Sequence, residues 1–373
     1  MSDFIPVNEP LFNGNEKKYL NQCIDSGWIS SEGDFVKKFE NTFATRMKRK
    51  HAIAVTNGTA AIDVAIESLE IRPNDEIIVP TFTIISCILQ IIRIGAVPVL
   101  VDSDPLTWNM DILKIEEKIT SKTKAIMAVH IYGLPVDMNP ILELCSKYNL
   151  KLIEDAAEVI GQEYMGEPCG SFGDVSTFSF YSNKHITTGE GGMVLTDNDN
   201  IAEQCRELRN LCFDNKKRFV HKRLGWNLRM TSLQAAVGLA QLEQLNQFIE
   251  KKRWIGKIYN DLLNDTEHLE LPLECTEYSS NIYWVYGVVL KRTLNFRASD
   301  VIDKLLDFKV GSRPFFFPIH QQPVLAQRNL YLNETYPVAE NLSQRGLYLP
   351  SGLAITEQQI VRVVDSLNKV IHK

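Results

Sequence analysis

The sequence is short of the features that mark nucleic-acid-binding, membrane and secreted proteins. It has no long run of lysine or arginine and a formal net charge of −6, so neither a nucleic acid nor an anionic membrane is an expected partner. No apolar stretch is long enough to cross a bilayer; Ile84 to Ile92, among the longest, is short and interrupted by polar residues. The N-terminus, MSDFIPVNEP, lacks the charged region and apolar core of a secretory signal, which points to the cytoplasm. The seven cysteines form no C-x-x-C pair and the seven histidines no H-x-x-x-H pair. That suits reduced thiols and argues against a disulfide framework or a metal site. Neither G-x-x-x-x-G-K-[ST] nor G-x-G-x-x-G occurs, so nucleoside-triphosphate and dinucleotide binding lack their usual signatures. Internal repeats and low-complexity segments are also missing.

What is present reads as a soluble globular protein. At 373 residues, 45% apolar and 23% charged, the chain suits two domains. A change of composition near Phe248 divides it into 1–247, with an N-terminal arm, and a smaller α+β part, 248–373. In the larger part a helix through Asn15 to Asp25 leads to a glycine-bounded loop, Gly27 to Gly33. β-rich and helical runs then alternate. Strands are expected at Ala52–Val55, Glu76–Pro80, Val97–Asp102, Ala125–His130 and Lys151–Glu154. Helices are expected at Ala60–Leu69, Ile84–Arg93, Ile112–Lys118 and Pro140–Tyr148. This alternation predicts the α/β class, a mostly parallel central sheet covered by helices, with ligands at the carboxyl ends of the strands. Polar residues gather at those ends: Thr56 to Thr59, Thr81 to Thr83, His130 to Gly133, and Asp155 to Glu158. Further on, Lys216, Lys217, Arg218, Lys222 and Arg223 form a basic loop that is either a solvated turn or an attractor for a phosphorylated substrate or a partner subunit.

Three local features carry chemistry. In FSFYSNKHITTGEGG, Phe178 to Gly192, one lysine, Lys184, sits where β-rich sequence breaks into small and polar residues. A desolvated lysine loses its charge more easily and becomes a nucleophile toward carbonyl carbon, as a Schiff base requires; a plain loop lysine before a glycine turn fits the same run. Asp155 ends a buried strand, where a carboxylate needs a cationic or proton-sharing partner. The turn Thr56-Asn57-Gly58-Thr59 between strand and helix offers unpaired backbone N–H groups and a favourable dipole to an anion, although capping by Asn57 or Thr59 accounts for the same residues. A lysine, an aspartate and a phosphate cradle at one sheet rim are what pyridoxal 5'-phosphate demands: aldehyde to lysine, ring nitrogen to carboxylate, phosphate to helix N-terminus.

The ordered motifs GWISSEG, TNGTAA, VPTFT, HIYG, EDAAE, GSFGDVSTFSFYSNKHITTGEGG, GWNLRMTSLQAAVG and SRPFFFP run through almost the whole chain. In them the sequence resembles the DegT/DnrJ/EryC1/StrS family of sugar aminotransferases, of PLP fold type I, and within it the GDP-perosamine synthases. The resemblance implies that Lys184 is the Schiff-base lysine and Asp155 the partner of the pyridine nitrogen. It places Gly58, Thr59 and Ser179 at the phosphate, Ala157 beneath the ring and Glu158 near the ring hydroxyl. Asn227 would reach the cofactor phosphate of the neighbouring subunit, which implies a homodimer with shared active sites. Trp28, Ser30, His185, Arg229 and Arg313 are expected substrate contacts. The amino donor would be L-glutamate and the acceptor a nucleotide-linked 4-keto-6-deoxy sugar for surface polysaccharide. A small phosphorylated ketone such as dihydroxyacetone phosphate is the alternative acceptor, and a non-catalytic regulator that keeps the fold is an alternative of another class. Lysine rather than histidine at 184 favours transamination over dehydration. The chain departs from the family pattern at Ile84, where many relatives place a ring-stacking aromatic, and at Tyr181–Asn183, Trp226 and Phe315–Phe317.

Overall fold

The computed structural model describes residues 3–214, 217 and 219–372; of the basic loop, Lys216 and Arg218 lie outside the described residues. Two helices, α1 (Glu16–Ser26) and α2 (Asp34–Arg46), precede the central sheet. The α/β succession is β1 (His51–Val55), α3 (Gly58–Ser68), β2 (Glu76–Pro80), α4 (Ser86–Arg93), β3 (Val97–Val101), β4 (Thr123–Val129), α5 (Met138–Tyr148) and β5 (Lys151–Asp155). A small hairpin, β6 (Glu163–Tyr164) and β7 (Glu167–Pro168), leads to β8 (Val175–Ser179), β9 (Gly192–Thr196), α6 (Asp199–Leu208) and α7 (Ser232–Glu243). The seven-stranded sheet runs β1-β9-β8-β5-β4-β2-β3. Its neighbours are parallel except where β9 lies antiparallel between β1 and β8.

Strand composition follows from burial on both faces. Ile77, Ile78 and Val79, like Ala125 to Ala128, have no exposed surface, so these strands read as continuous apolar runs rather than as alternation. One face, which presents Phe178 of β8, packs on Phe39, Phe43 and Phe180; the other packs on the apolar stripe of α3 and α4.

The C-terminal unit is a four-stranded antiparallel sheet with its own core. It comprises α8 (Leu245–Leu263), β10 (Leu269–Glu270), β11 (Tyr286–Leu290), α9 (Ala298–Asp307), β12 (Arg313–Pro314), α10 (Pro323–Ala326), α11 (Pro337–Arg345), β13 (Gly346–Leu349) and α12 (Glu357–Ile371). The strands run β10-β11-β13-β12, and Tyr259, Tyr286, Val288, Leu305 and Leu367 fill the core. The N-terminal arm lies along this unit: Ile5 N–H donates to Lys309 at 2.9 Å, and Gly311 N–H returns to Ile5 at 2.8 Å.

Two expected helices differ. The segment Ile112–Lys118 forms two short 3₁₀ turns, Ile112–Lys114 and Glu116–Lys118. Only Ile115 of it is buried, too little apolar surface to hold a continuous helix. The helix expected from Ile84 begins at Ser86, which leaves Ile84 exposed in the preceding turn. Among the described residues no helix is long and apolar enough to cross a membrane.

Candidate active site

At the carboxyl ends of β1, β2, β5 and β8 the chain encloses a cavity of about 690 Å³. Its lining brings together Gly58, Thr59, Ile84, Asp155, Ala157, Glu158, Ser179 and Lys184, which the sequence scatters over more than a hundred positions.

One end is built from two helix N-termini. β1 turns into α3 at Asn57, whose side chain accepts from Ala60 N–H at 2.8 Å, leaving the amides of Gly58 and Thr59 in the turn where helices lack internal partners. Thr59 Oγ1 and Ser86 Oγ, at the start of α4, are 2.8 Å apart. Ser179, ending β8, stands against the same turn. The approach is close: a Cβ on Gly58 would come within 2.7 Å of Ser179 Cβ, and one on Gly192 within 2.3 Å of the Asn57 carbonyl. Hydroxyls and free amides converging on one point suit an anion.

The floor is Asp155, the last residue of β5. Its carboxylate accepts from Ala157 N–H at 3.1 Å and from the Cys87 thiol at 3.5 Å. Burial pushes its pKa up, against the Ala157 amide and the Lys184 charge. Glu158 is equally buried; it accepts from Tyr132 N–H at 2.9 Å, and desolvation raises its pKa to about 7 despite Lys184. Two reluctant carboxylates facing one cavity create demand for positive charge there.

Lys184 answers from the opposite side. The β8–β9 connection turns at Tyr181, whose carbonyl accepts from Lys184 N–H at 2.9 Å. Nζ lies 3.8 Å from Glu158 and 3.6 Å from the centroid of the Trp284 ring. Burial lowers its pKa, while Glu158 and Asp155 oppose the shift. Trp284, Phe316 and Tyr348 from the C-terminal unit close the cavity with Tyr181 and Asn183. The sequence singled out Tyr181, Asn183 and Phe316 as departures from relatives; Trp284 and Tyr348 carried no local signal, because buried aromatics near strands are ordinary core residues.

The expected substrate contacts are not among the residues that line the cavity. His185, next to the lysine in sequence, has no exposed surface; it packs near Lys252 and Ile282, and burial drives its pKa well below the usual value. It is not among the residues that line the cavity. Trp28 is exposed on the loop after α1; Ser30, also exposed, gives its carbonyl to Ser232 N–H. Arg229 Nε donates to Asn227 Oδ1 at 2.9 Å and borders a separate cleft with Arg206 and Arg209. Arg313 is exposed on β12, in register with the cavity-lining Tyr348 of β13. Asn227 is exposed and outside the lining of its own chain's cavity.

Comparison with known proteins adds three findings. The DegT/DnrJ/EryC1/StrS aminotransferase family profile matches residues 11–368. GDP-perosamine synthases of Escherichia coli O157:H7 and Caulobacter vibrioides are 42% and 41% identical, over 98% of this chain and 98% of the first and over 100% of both for the second. The solved structure of an aminotransferase from Psychrobacter cryohalolentis superposes with a TM-score of 0.90 at 30% identity, covering 99% of this chain and 100% of that one.

Proposed function

The chain belongs to the DegT/DnrJ/EryC1/StrS aminotransferase family, and from that premise we infer that it moves an amino group from L-glutamate to a nucleotide-linked 4-keto-6-deoxy sugar. It is a sugar aminotransferase of PLP fold type I that depends on pyridoxal 5'-phosphate. The observation that supports the site assignment best is the convergence of Lys184, Asp155 and the Gly58–Thr59 turn on one cavity. The cavity fits the cofactor. Paired helix N-termini with Thr59, Ser86 and Ser179 suit its phosphate, and a buried carboxylate whose ionisation is disfavoured suits a ring nitrogen that brings a positive charge. Ala157 is small enough to leave room for a ring.

When bound, pyridoxal phosphate supplies an electron sink for the charge that develops as an amino-bearing carbon loses its proton. The protein does the rest. Asp155 would hold the ring nitrogen and keep it protonated by offering a buried negative charge. Lys184 would take the proton from the donor's α carbon at Nζ in one half of the reaction and, in the other, deliver a proton to the sugar carbon that receives the amine, as a general base and acid. Glu158 keeps a second proton within reach at neutral pH. Trp284, Phe316 and Tyr348 exclude water from Nζ and offer apolar faces to a sugar ring.

The acceptor follows from the two relatives named as GDP-perosamine synthases, aligned over nearly their full lengths. A GDP-linked 4-keto-6-deoxymannose is the substrate we propose. We also propose a homodimer in which Asn227, exposed and not among the residues lining its own cavity, serves the phosphate of the partner's site, with Arg229 beside it. The test is incubation with glutamate and a panel of keto-sugar nucleotides and phosphorylated ketones, read by mass spectrometry. Amination of the GDP-linked keto sugar is expected. Amination of triose phosphates alone would refute the acceptor, and a colourless protein that takes up no added cofactor would refute catalysis.

A further inference from the structure

Trp284 stands against the reactive end of Lys184, and neither the motifs nor the carboxylate chemistry requires it. Nζ stands 3.6 Å from the ring centroid, and the nearest carboxylate oxygen, on Glu158, is 3.8 Å away, beyond hydrogen-bond reach. The ring is fixed from three directions. Indole Nε1 donates to the carbonyl of Asn183, the residue before the lysine, at 2.8 Å. The Trp284 carbonyl accepts from the fully buried Lys252 Nζ, also at 2.8 Å. The ring packs on Tyr132, centroids 5.9 Å apart. Two of these contacts hold the ring and the third holds its backbone, with the π face over one amine. An aromatic that merely filled space would need neither the bond to Asn183 nor a buried lysine on its backbone.

The face of an indole attracts a cation, and does so more strongly where water is excluded. A base that has just taken a proton is such a cation, and Lys184 must pass through that state each time it accepts one. We propose that Trp284 is a positioning residue for Lys184: its indole face stabilises the protonated ε-amine and keeps Nζ turned into the cavity whenever that amine is free. This rests on Lys184 being the reactive lysine of the proposed function. The groups that face Nζ besides the indole are Glu158 and Asp155, with Cys87 behind them, and all three are unchanged by substitution at 284.

The test uses the full-length protein freed of cofactor. Pyridoxal phosphate followed by borohydride, with peptide mass spectrometry, first asks which lysine is tagged; a tag elsewhere than Lys184 would remove the functional reading and this proposal together. With Lys184 tagged, reductive methylation by formaldehyde is followed at that residue across pH in wild type, Trp284→Phe and Trp284→Leu. The pH of half-maximal reactivity in Trp284→Leu should fall by about 0.5–1.5 units, the range a desolvated cation–π contact supports. Trp284→Phe, which keeps a π face but loses the Asn183 bond, should fall by less. A midpoint in Trp284→Leu that stays or rises overturns the proposal, as does Trp284→Phe falling as far as Leu. Should the Leu variant not fold, fluorinated tryptophans built into the otherwise unchanged chain weaken the face at nearly constant size. The midpoint should then drop with each added fluorine, and an unmoved midpoint overturns the proposal.

Discussion

Glu158→Gln should flatten part of the protein's dependence of stability on pH. In the folded protein burial keeps Glu158 protonated up to about 7, against an ordinary value of 4.5. Between those values the native state holds a proton that the unfolded chain has released, so stability falls as pH rises. The contribution is fully present below 4.5 and gone above 7. At ~1.36 kcal/mol per pH unit the whole window amounts to about 3.4 kcal/mol, and the part between pH 5 and 7.5 to about 2.4 kcal/mol. Glutamine keeps an oxygen to accept the Tyr132 N–H and nearly the same volume, so the substitution removes the ionisation together with the support that Glu158 gives to the Lys184 charge, whose loss acts in the same direction. Asp155 also has a raised pKa, but it is common to both proteins and cancels in the difference. Urea denaturation of wild type and variant, cofactor-free and at one protein concentration, gives the difference in stability at pH 5, 6, 7 and 7.5. The variant should gain on wild type steadily as pH rises. A difference that is constant, or that falls, would refute the assignment of a neutral buried carboxyl beside Lys184.

Three further outcomes follow from the same geometry. Lys184→Ala should abolish the visible absorbance of bound cofactor and cut amino transfer by at least ~10³-fold, within the range for losing a general acid and base; measurable turnover within tenfold of wild type would contradict it. Gly192→Ala drives a Cβ to 2.3 Å from the Asn57 carbonyl and 3.0 Å from Gly58 N. It should cost about 1–3 kcal/mol by overpacking, seen as a lower thermal midpoint together with weaker cofactor binding in an absorbance titration. Lys252 is pushed by burial from 10.5 to about 7, so between those values the unfolded chain binds more protons and wild-type stability rises with pH by up to ~1.36 kcal/mol per unit. In Lys252→Met that rise should vanish, as denaturation at pH 7, 8 and 9 would show.

The parts of the site legible in the sequence are those where chemistry demands one residue type at short range. A lysine after a buried strand, an aspartate ending another and a strand–turn–helix with glycine each carry their meaning within a few positions. Adjacency to Lys184 does not by itself place His185 in the cavity. The turn that aims Lys184 into the cavity aims its neighbour into the core, and no residue type records which way a turn sends consecutive side chains. The helix expected at Ile112–Lys118 has helical spacing, yet tertiary contact buries only Ile115, and spacing alone cannot show how little surface awaits a segment. Trp28, Arg229 and Arg313 stand in recognisable motifs, but none of them lines the cavity, which only the assembled fold shows.

The C-terminal unit shows why the remainder was out of reach. The reactive lysine belongs to the large sheet, whereas the rings against it, Trp284, Phe316 and Tyr348, come from the smaller unit. Lys252, on the helix that joins the two, binds the Trp284 carbonyl and, at 2.6 Å, the Ser351 carbonyl. A lysine carried into the interior without a carboxylate partner is costly, and a core that needed only packing would hold methionine or leucine there. Its two acceptors are the backbone that presents the ring and the backbone that takes up the N-terminal arm, where Val7 accepts from Ser351 N–H. The environment of Lys184 therefore depends on how the two units are joined, and a substitution in α8, far from any motif, reaches the site through Trp284.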